Sequence, residues 1–285
     1  MKKALVLLGF VVSMTSFAQT DTTGKKDPLG EQSDTIRVGT MIIIKKGGSK
    51  SKDFEVVESN KDTYHRSYHD RVHTDWILFD IGFANWDDKT DYSSPEAQAF
   101  LHNPGNTPLS SGDFSIYSGK STNINIWLFM QRLSLYKGVV NLKYGFGMQM
   151  YNYFYKTNLV YVDGANPYVI RDTINYSKNK LATDYFTVPL MININTNPSR
   201  GNRALNFSFG VSAGYMYSSR QKLKVGDDKN KHKSNFNLEP WKVDYVAEVG
   251  LGVVHLYGSY NITALHKNAI QQYPYAVGLR IGGWD

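Results

Sequence analysis

Across 285 residues the chain has no cysteine, 24 glycines, 20 tyrosines and a formal net charge of +7. The missing cysteine excludes a disulfide framework and an acylated N-terminal cysteine. The positive excess is scattered rather than striped, which argues against nucleic acid as a partner. Tyrosine and glycine in such numbers suit a membrane barrel, where apolar residues face outward and small or polar ones fill the lumen.

Residues 1–18 read as a secretory signal peptide. Lys2 and Lys3 form its charged start, residues 4–12 its apolar core, and Ser16-Phe17-Ala18 a small-x-small cleavage site. That core is too short to span a hydrocarbon layer of ~30 Å. Residues 19–74 read as a periplasmic N-terminal segment and linker. Residues 19–34 are polar and aperiodic, the β-branched run at 36–45 predicts a short strand, and residues 47–73 are charged and low in apolar side chains. His65, His69 and His73 are spaced by four, so on a helix they would share a face and could hold a metal. No firm helical pattern surrounds them, and a solvated histidine-rich linker accounts for them without a metal.

From residue 75 onward the pattern has a period of two, the signature of strands with two unlike faces. A first strand at 76–86 sets Ile77, Phe79, Ile81 and Phe83 against Leu78, Asp80, Gly82 and Ala84. The polar stretch 87–120 contains a short helix, with Ser94 capping, Pro95 in the first position and Glu96 in the first turn. The second strand, 122–133, points Ile124, Ile126, Leu128 and Met130 outward, and Asn123 and Asn125 inward. The third, 139–153, opposes Val140, Leu142, Tyr144 and Phe146 to Asn141, Lys143, Gly145 and Gly147.

After turn signals at Asp163-Gly164 and Asn166-Pro167, a fourth strand runs over 181–196, where Pro189 predicts a bulge or kink. The fifth, 205–217, is the clearest: Leu205, Phe207, Phe209, Val211, Ala213, Tyr215 and Tyr217 share one face. Residues 220–240 read as a charged loop. A strand at 241–252, one that follows a minimal turn near 253–255 and runs to about 262, and one at 274–284 complete the set. Aromatics at the loop ends, among them Tyr151, Tyr153, Tyr185, Phe186, Tyr215, Tyr217, Trp241, Tyr245, Tyr273 and Tyr275, predict an interfacial belt.

The connections alternate long and short. The expected fold is therefore all-β: an eight-stranded antiparallel transmembrane up-and-down β-barrel in the outer membrane over 75–285, with long outer loops and short periplasmic turns. A soluble lipocalin-like barrel would need its apolar face turned inward, where Gly, Asn and Lys stand.

The stretches beginning Trp76-Ile77-Leu78-Phe79, Tyr185-Phe186-Thr187-Val188-Pro189 and Tyr273-Pro274-Tyr275 resemble the Bacteroidetes outer-membrane β-barrel family known as PorT-like. The resemblance covers about residues 76–284 and the run at 36–45. It implies outer-membrane residence and little about activity. The ending Gly283-Trp284-Asp285 departs from the terminal aromatic common in barrel insertion signals.

Five charges point inward: Asp80, Lys143, Asp244, Glu248 and Arg280. Asp80 and Arg280 lie on the first and last strands and become neighbours when the barrel closes. An ion-pair plug explains them; a proton path or an acid–base carboxylate pair is the sharper alternative. His102, His232 and His266 fall in loops without a nucleophile elbow or paired-acid spacing, so no catalytic, cofactor-binding or metal residue is assigned. Arg220, Lys222, Lys224, Lys229, Lys231, His232 and Lys233 make one loop basic, interrupted by Asp227 and Asp228, and could grip lipopolysaccharide phosphates. The expected function is a non-enzymatic envelope scaffold or binding surface acting through the long loops. A narrow channel or small-solute transporter, and a barrel hydrolase or acyltransferase, are the rivals. Expected partners are outer-membrane lipid, lipopolysaccharide and the assembly machinery, with no nucleic acid and a monomeric state.

Overall fold

The computed structural model describes residues 72–101, 108–198, 204–267 and 270–282, together with the strand paths Asp34–Val38 (β1), Met41–Lys45 (β2) and Phe54–Glu58 (β3). The signal segment, His65, His69, His102, the turn at 199–201 and the terminal Gly283-Trp284-Asp285 lie outside the described residues. The chain divides into two compact units, residues 1–66 and 67–285.

In the first unit β1, β2 and β3 pair in order as an antiparallel meander. This corrects two expectations. The run at 36–45 is two paired strands rather than one. The stretch read as linker contains β3, whose Phe-Glu-Val-Val-Glu sequence has the β propensity to pair.

The second unit is the barrel. Its strands are Val72–Asp88 (β4), Thr122–Tyr136 (β5), Val140–Phe154 (β6), Lys178–Asn195 (β9), Leu205–Val225 (β10), Trp241–Leu251 (β12), Val254–Asn261 (β13) and Gln272–Ile281 (β14). Neighbours in sequence pair antiparallel, β14 pairs with β4, and β9 pairs with β10, so eight strands form a closed ring. Closure leaves no unpaired edge, the condition for a sheet to sit in lipid. Among the described residues no helix is long and apolar enough to cross a membrane; the strands cross.

Alternation decides which way each side chain points. Ile81, Phe83, Val188, Leu190, Phe209, Val211, Val249, Val277 and Leu279 are exposed on the outside, while Asp80, Lys143, Asn193, Ser212, Asp244 and Arg280 are buried inside. Apolar groups out and charged groups in is the reverse of a soluble barrel, and it is the order lipid demands.

The alternation of β5 breaks near its middle in a way the sequence did not signal. Between β5 and β6 the register passes from Trp127↔Gly147 to Phe129↔Phe146, leaving Leu128 as an extra residue. Opposite it on β4, Ile77 takes φ +53°, a conformation rare for a β-branched side chain. Downstream of this bulge the phase reverses. Met130, expected on the lipid face, is only 1 % exposed and packs inside with Leu78 and Trp127. At Pro189 no register shift occurs; pairing with β6 lapses between Tyr144↔Leu190 and Gly147↔Thr187 and resumes in the same phase. The proline drops a ladder bond without bending the strand into a bulge. The shift in β10 falls instead between Met216 and Ser218.

Above the membrane the strands continue. β10 runs on to Val225 and returns as Asp228–Lys233 (β11), so the stretch read as a charged loop is largely a projecting hairpin. A second hairpin, Leu159–Val162 (β7) with Tyr168–Arg171 (β8), follows β6. The short helix Pro95–Phe100 (α1) forms as expected, with Ser94 Oγ accepting from Ala97 N at 3.3 Å.

Candidate functional site

The lumen is filled from its middle outward by paired charges. Arg280 donates from Nε to Asp80 Oδ1 at 2.6 Å, from Nη2 to Asp80 Oδ2 at 2.9 Å, and from Nη1 to Glu248 Oε1. Glu248 in turn accepts from Lys143 Nζ. Trp127 Nε1 and Asn125 Nδ2 donate to the remaining face of Asp80 at 2.7 and 3.0 Å. A second group stands nearer the loops, where Lys242 Nζ donates to Asp244 Oδ2 and Gln149 Oε1, each at 2.5 Å, and Ser212 Oγ reaches Asp244 at 2.8 Å.

Lys242 faces inward on β12 with Asp244 and Glu248, by the parity of that strand, and joins the five inward charges. With it, three acids face three bases, and each buried carboxylate has a cation beside it. Pairing of this kind offsets the cost of removing charge from water. Arg280 stands between Asp80 and Glu248 and neutralises both, so the two carboxylates do not form the free acid–base pair that glycoside or peptide chemistry would need. Between Asp80, Asn125, Gln149, Glu248 and Arg280 remains a cavity of about 20 Å³, the space of one water.

Over this plug sits an aromatic layer. Tyr151, Tyr153 and Tyr185 were expected in an interfacial belt; each is almost fully buried and points inward. Lys242 Nζ lies 5.1 and 5.2 Å from the ring centres of Tyr151 and Tyr185, a cation–π arrangement. The parity of β6 carries the reason, since Tyr151 and Tyr153 share the face of Lys143 rather than that of Phe146. The belt itself is made by Phe186, Tyr215, Tyr217, Trp241 and Tyr245, with Phe186 stacked on Tyr217 at 4.3 Å and Tyr215 edge-on to Trp241 at 4.8 Å.

The outer loops continue the lumenal core upward as a folded cap. Phe100, Leu109, Phe114, Leu159, Val169, Phe236, Leu265 and Ile270 are buried together with the lumenal tyrosines in one cluster. Bridges join Leu101 to Val169, Ile116 to Tyr155 and Leu238 to His266, tying each long loop to another or to a strand end. Polar contacts hold the same seams: Arg171 Nε to Asp113 Oδ1 at 2.6 Å, and Tyr161 N to Gln221 Oε1 at 3.0 Å.

The loop histidines have different fates. His266, read as a loop residue, is 2 % exposed and stacks on Tyr161, with Nε2 3.0 Å from the Tyr161 hydroxyl. Burial holds its imidazole down to about 3, so it is neutral in the cap. The next hydroxyl along is Tyr155, 2.9 Å from Tyr161, and burial raises both phenols above their ordinary range. An imidazole beside two poorly acidic phenols offers no activated nucleophile. His232 lies on the hairpin surface, 3.8 Å from Asp163. His73, read as part of the linker, belongs to β4 and bonds Asp75 at 3.3 Å. Among the described residues no group of three His, Asp or Glu could hold a metal.

Residues 101–268 match the family described as outer membrane protein beta-barrel domain, which is more than half of the chain. The chain belongs to that family. This outer-membrane β-barrel is also similar in outline to two solved structures. One is Neisserial surface protein A, at 8 % identity and TM-score 0.32, covering 74 % of this chain and 99 % of that one. The other is Ail, the attachment invasion locus protein of Yersinia pestis, solved with the heparin analogue sucrose octasulfate, at 9 % identity and TM-score 0.31, covering 74 % and 98 %. No curated protein matches the chain. In this chain the inward charges form a closed network and the outer loops a closed cap.

Proposed function

We propose that this outer-membrane β-barrel is a non-enzymatic envelope scaffold of the PorT-like type, whose folded cap presents a binding surface to the outside. One observation carries the reading: the Asp80–Arg280–Glu248–Lys143 network fills the lumen beneath a tyrosine layer and a packed cap. An eight-stranded ring is narrow enough for side chains to fill, and here those side chains bond one another. A conduit would have to displace paired charges that cost several kcal/mol to separate, so the arrangement favours a support over a channel. Loops that share one apolar core make a surface of fixed shape, which suits binding better than loops that must order on contact.

Planar bilayers test this. The purified barrel should add no steady conductance at any holding voltage; reproducible ohmic steps that scale with salt would overturn the scaffold reading in favour of a narrow channel.

A further inference from the structure

The hairpin of β10 and β11 and the top of β9 create a feature that no single stretch of sequence contains. Register places Lys178 opposite Lys224 and Lys224 opposite Lys229. The next rung is Lys180, Lys222 and Lys231, and the next Ala182, Arg220 and Lys233. Residues directly opposite in antiparallel strands share a face, so eight basic side chains stand on one side of a three-stranded sheet.

That side is the outward one. The shift between Met216 and Ser218 resets the phase of β10, turning Ser219 and Gln221 into the cap core and Arg220, Lys222 and Lys224 away from it. His232 pairs with Gln221 and so leaves the basic set, while Lys178 and Lys180 join it from another part of the chain.

Like charges directly opposite one another destabilise a sheet, and the protein supplies little to offset them. Arg220 pairs with Asp184, and Lys224 lies 3.9 Å from the exposed Asp227. Among the described residues no carboxylate pairs with Lys178, Lys180, Lys222, Lys229, Lys231 or Lys233. Lys180 leans on the Phe154 ring and bonds Asn152 Oδ1 at 2.7 Å; burial and its lysine neighbours hold its ammonium down to about 8. Such a site lacks an anion.

Position says which anion. Arg220 lies three residues beyond Tyr217 of the aromatic belt, about 10 Å along the strand at roughly 3.3 Å per residue. The ladder therefore begins where the belt ends, at headgroup height, and faces sideways toward the surrounding leaflet rather than up into solvent. We propose that the lysine ladder on the outward face of β9–β11 binds the phosphate groups of lipopolysaccharide in the outer leaflet. The site needs only the barrel's placement in that membrane, so it stands or falls separately from conductance.

The test uses the full barrel in neutral detergent, titrated with bisphosphorylated lipid A and with the same lipid dephosphorylated, beside the variant Lys180→Gln/Lys222→Gln/Lys231→Gln. Unboiled mobility on a gel confirms that each protein is folded. Wild type should bind the phosphorylated lipid at least tenfold more tightly than the dephosphorylated one, and the variant should lose that preference. In detergent without lipid the variant should melt higher than wild type, because a like-charge rung has been removed. Equal binding of the two lipids by wild type, an unchanged preference in the variant, or binding of a soluble sulfated glycan in place of lipid A would overturn the assignment. If the variant does not fold, titration of wild type in rising salt decides: the phosphate preference must fall steeply, and a salt-independent preference refutes the ladder.

Discussion

Arg280 on the last barrel strand stands directly opposite Asp80 on the first, making two hydrogen bonds across the seam at 2.6 and 2.9 Å. The pair joins residues 200 positions apart and fixes the register at which the ring closes. Asp80→Asn or Arg280→Met alone should each cost about 3–5 kcal/mol, because each strands a buried charge. The double variant should cost clearly less than the sum of the two. Urea midpoints of the folded, heat-modifiable band measure all three. Additive single effects would show that the seam pair is not coupled.

The bulge at Leu128 predicts a pattern that strict alternation forbids. The native chain lacks cysteine, so a spin label on an introduced one reports a single position. Labels at Leu128→Cys and Phe129→Cys should both collide freely with oxygen dissolved in lipid, while labels at Trp127→Cys and Met130→Cys should be shielded. Shielding at Phe129 together with exposure at Met130 would restore simple alternation and remove the bulge.

That bulge marks a boundary of what the residues alone could disclose. Asp80, Lys143, Glu248 and Arg280 were legible as lumenal because charge among alternating apolar residues has only one place to go in lipid. Met130 was not, since a methionine fits lipid and lumen alike and an inserted residue leaves no compositional trace. Tyr151, Tyr153 and Tyr185 were legible and misread: their parity placed them with Lys143 and Thr187, but tyrosine's preference for interfaces suggested a belt. Lys178 and Lys180 enter the basic ladder only through register with β10, and His266 enters the cap only through a contact with Tyr161 in another loop. Pairings at such separations are decided by packing, which a local pattern does not encode.

Two glycines with opposite surroundings should respond oppositely to one added methyl group. A Cβ at Gly147, which faces the lumen, would lie 2.6 Å from Ile126 O and 2.8 Å from Trp127 Cα, both backbone atoms at the bulge. A Cβ at Gly258, on the lipid face, would meet nothing nearer than 3.9 Å. Gly147→Ala should therefore destabilise the barrel by about 1–3 kcal/mol through overpacking, and Gly258→Ala should be neutral or slightly stabilising. Thermal midpoints in detergent check the pair, and equal effects would show that the close approach at Gly147 is relieved by strand movement.

His266 makes the cap sensitive to acid, with a sign that follows from burial. Its imidazole is held down to about 3 in the folded cap, against an ordinary value near 6.5. The opened cap therefore binds more protons than the closed one between those limits, and closure strengthens as pH rises through that window. Above about pH 6.5 the contribution is complete; as pH falls toward 3 it is lost, and the opening constant rises at most about tenfold per pH unit. Amide exchange of Tyr161 and Leu238 should follow this profile, since both are bonded or bridged to the His266 segment. His266→Phe keeps the stack between Phe100 and Tyr161 but cannot take a proton. It should flatten the acid limb while leaving exchange at pH 8 within a few-fold of wild type. An acid limb that survives the substitution would assign the titration to another buried group and leave His266 a packing residue only.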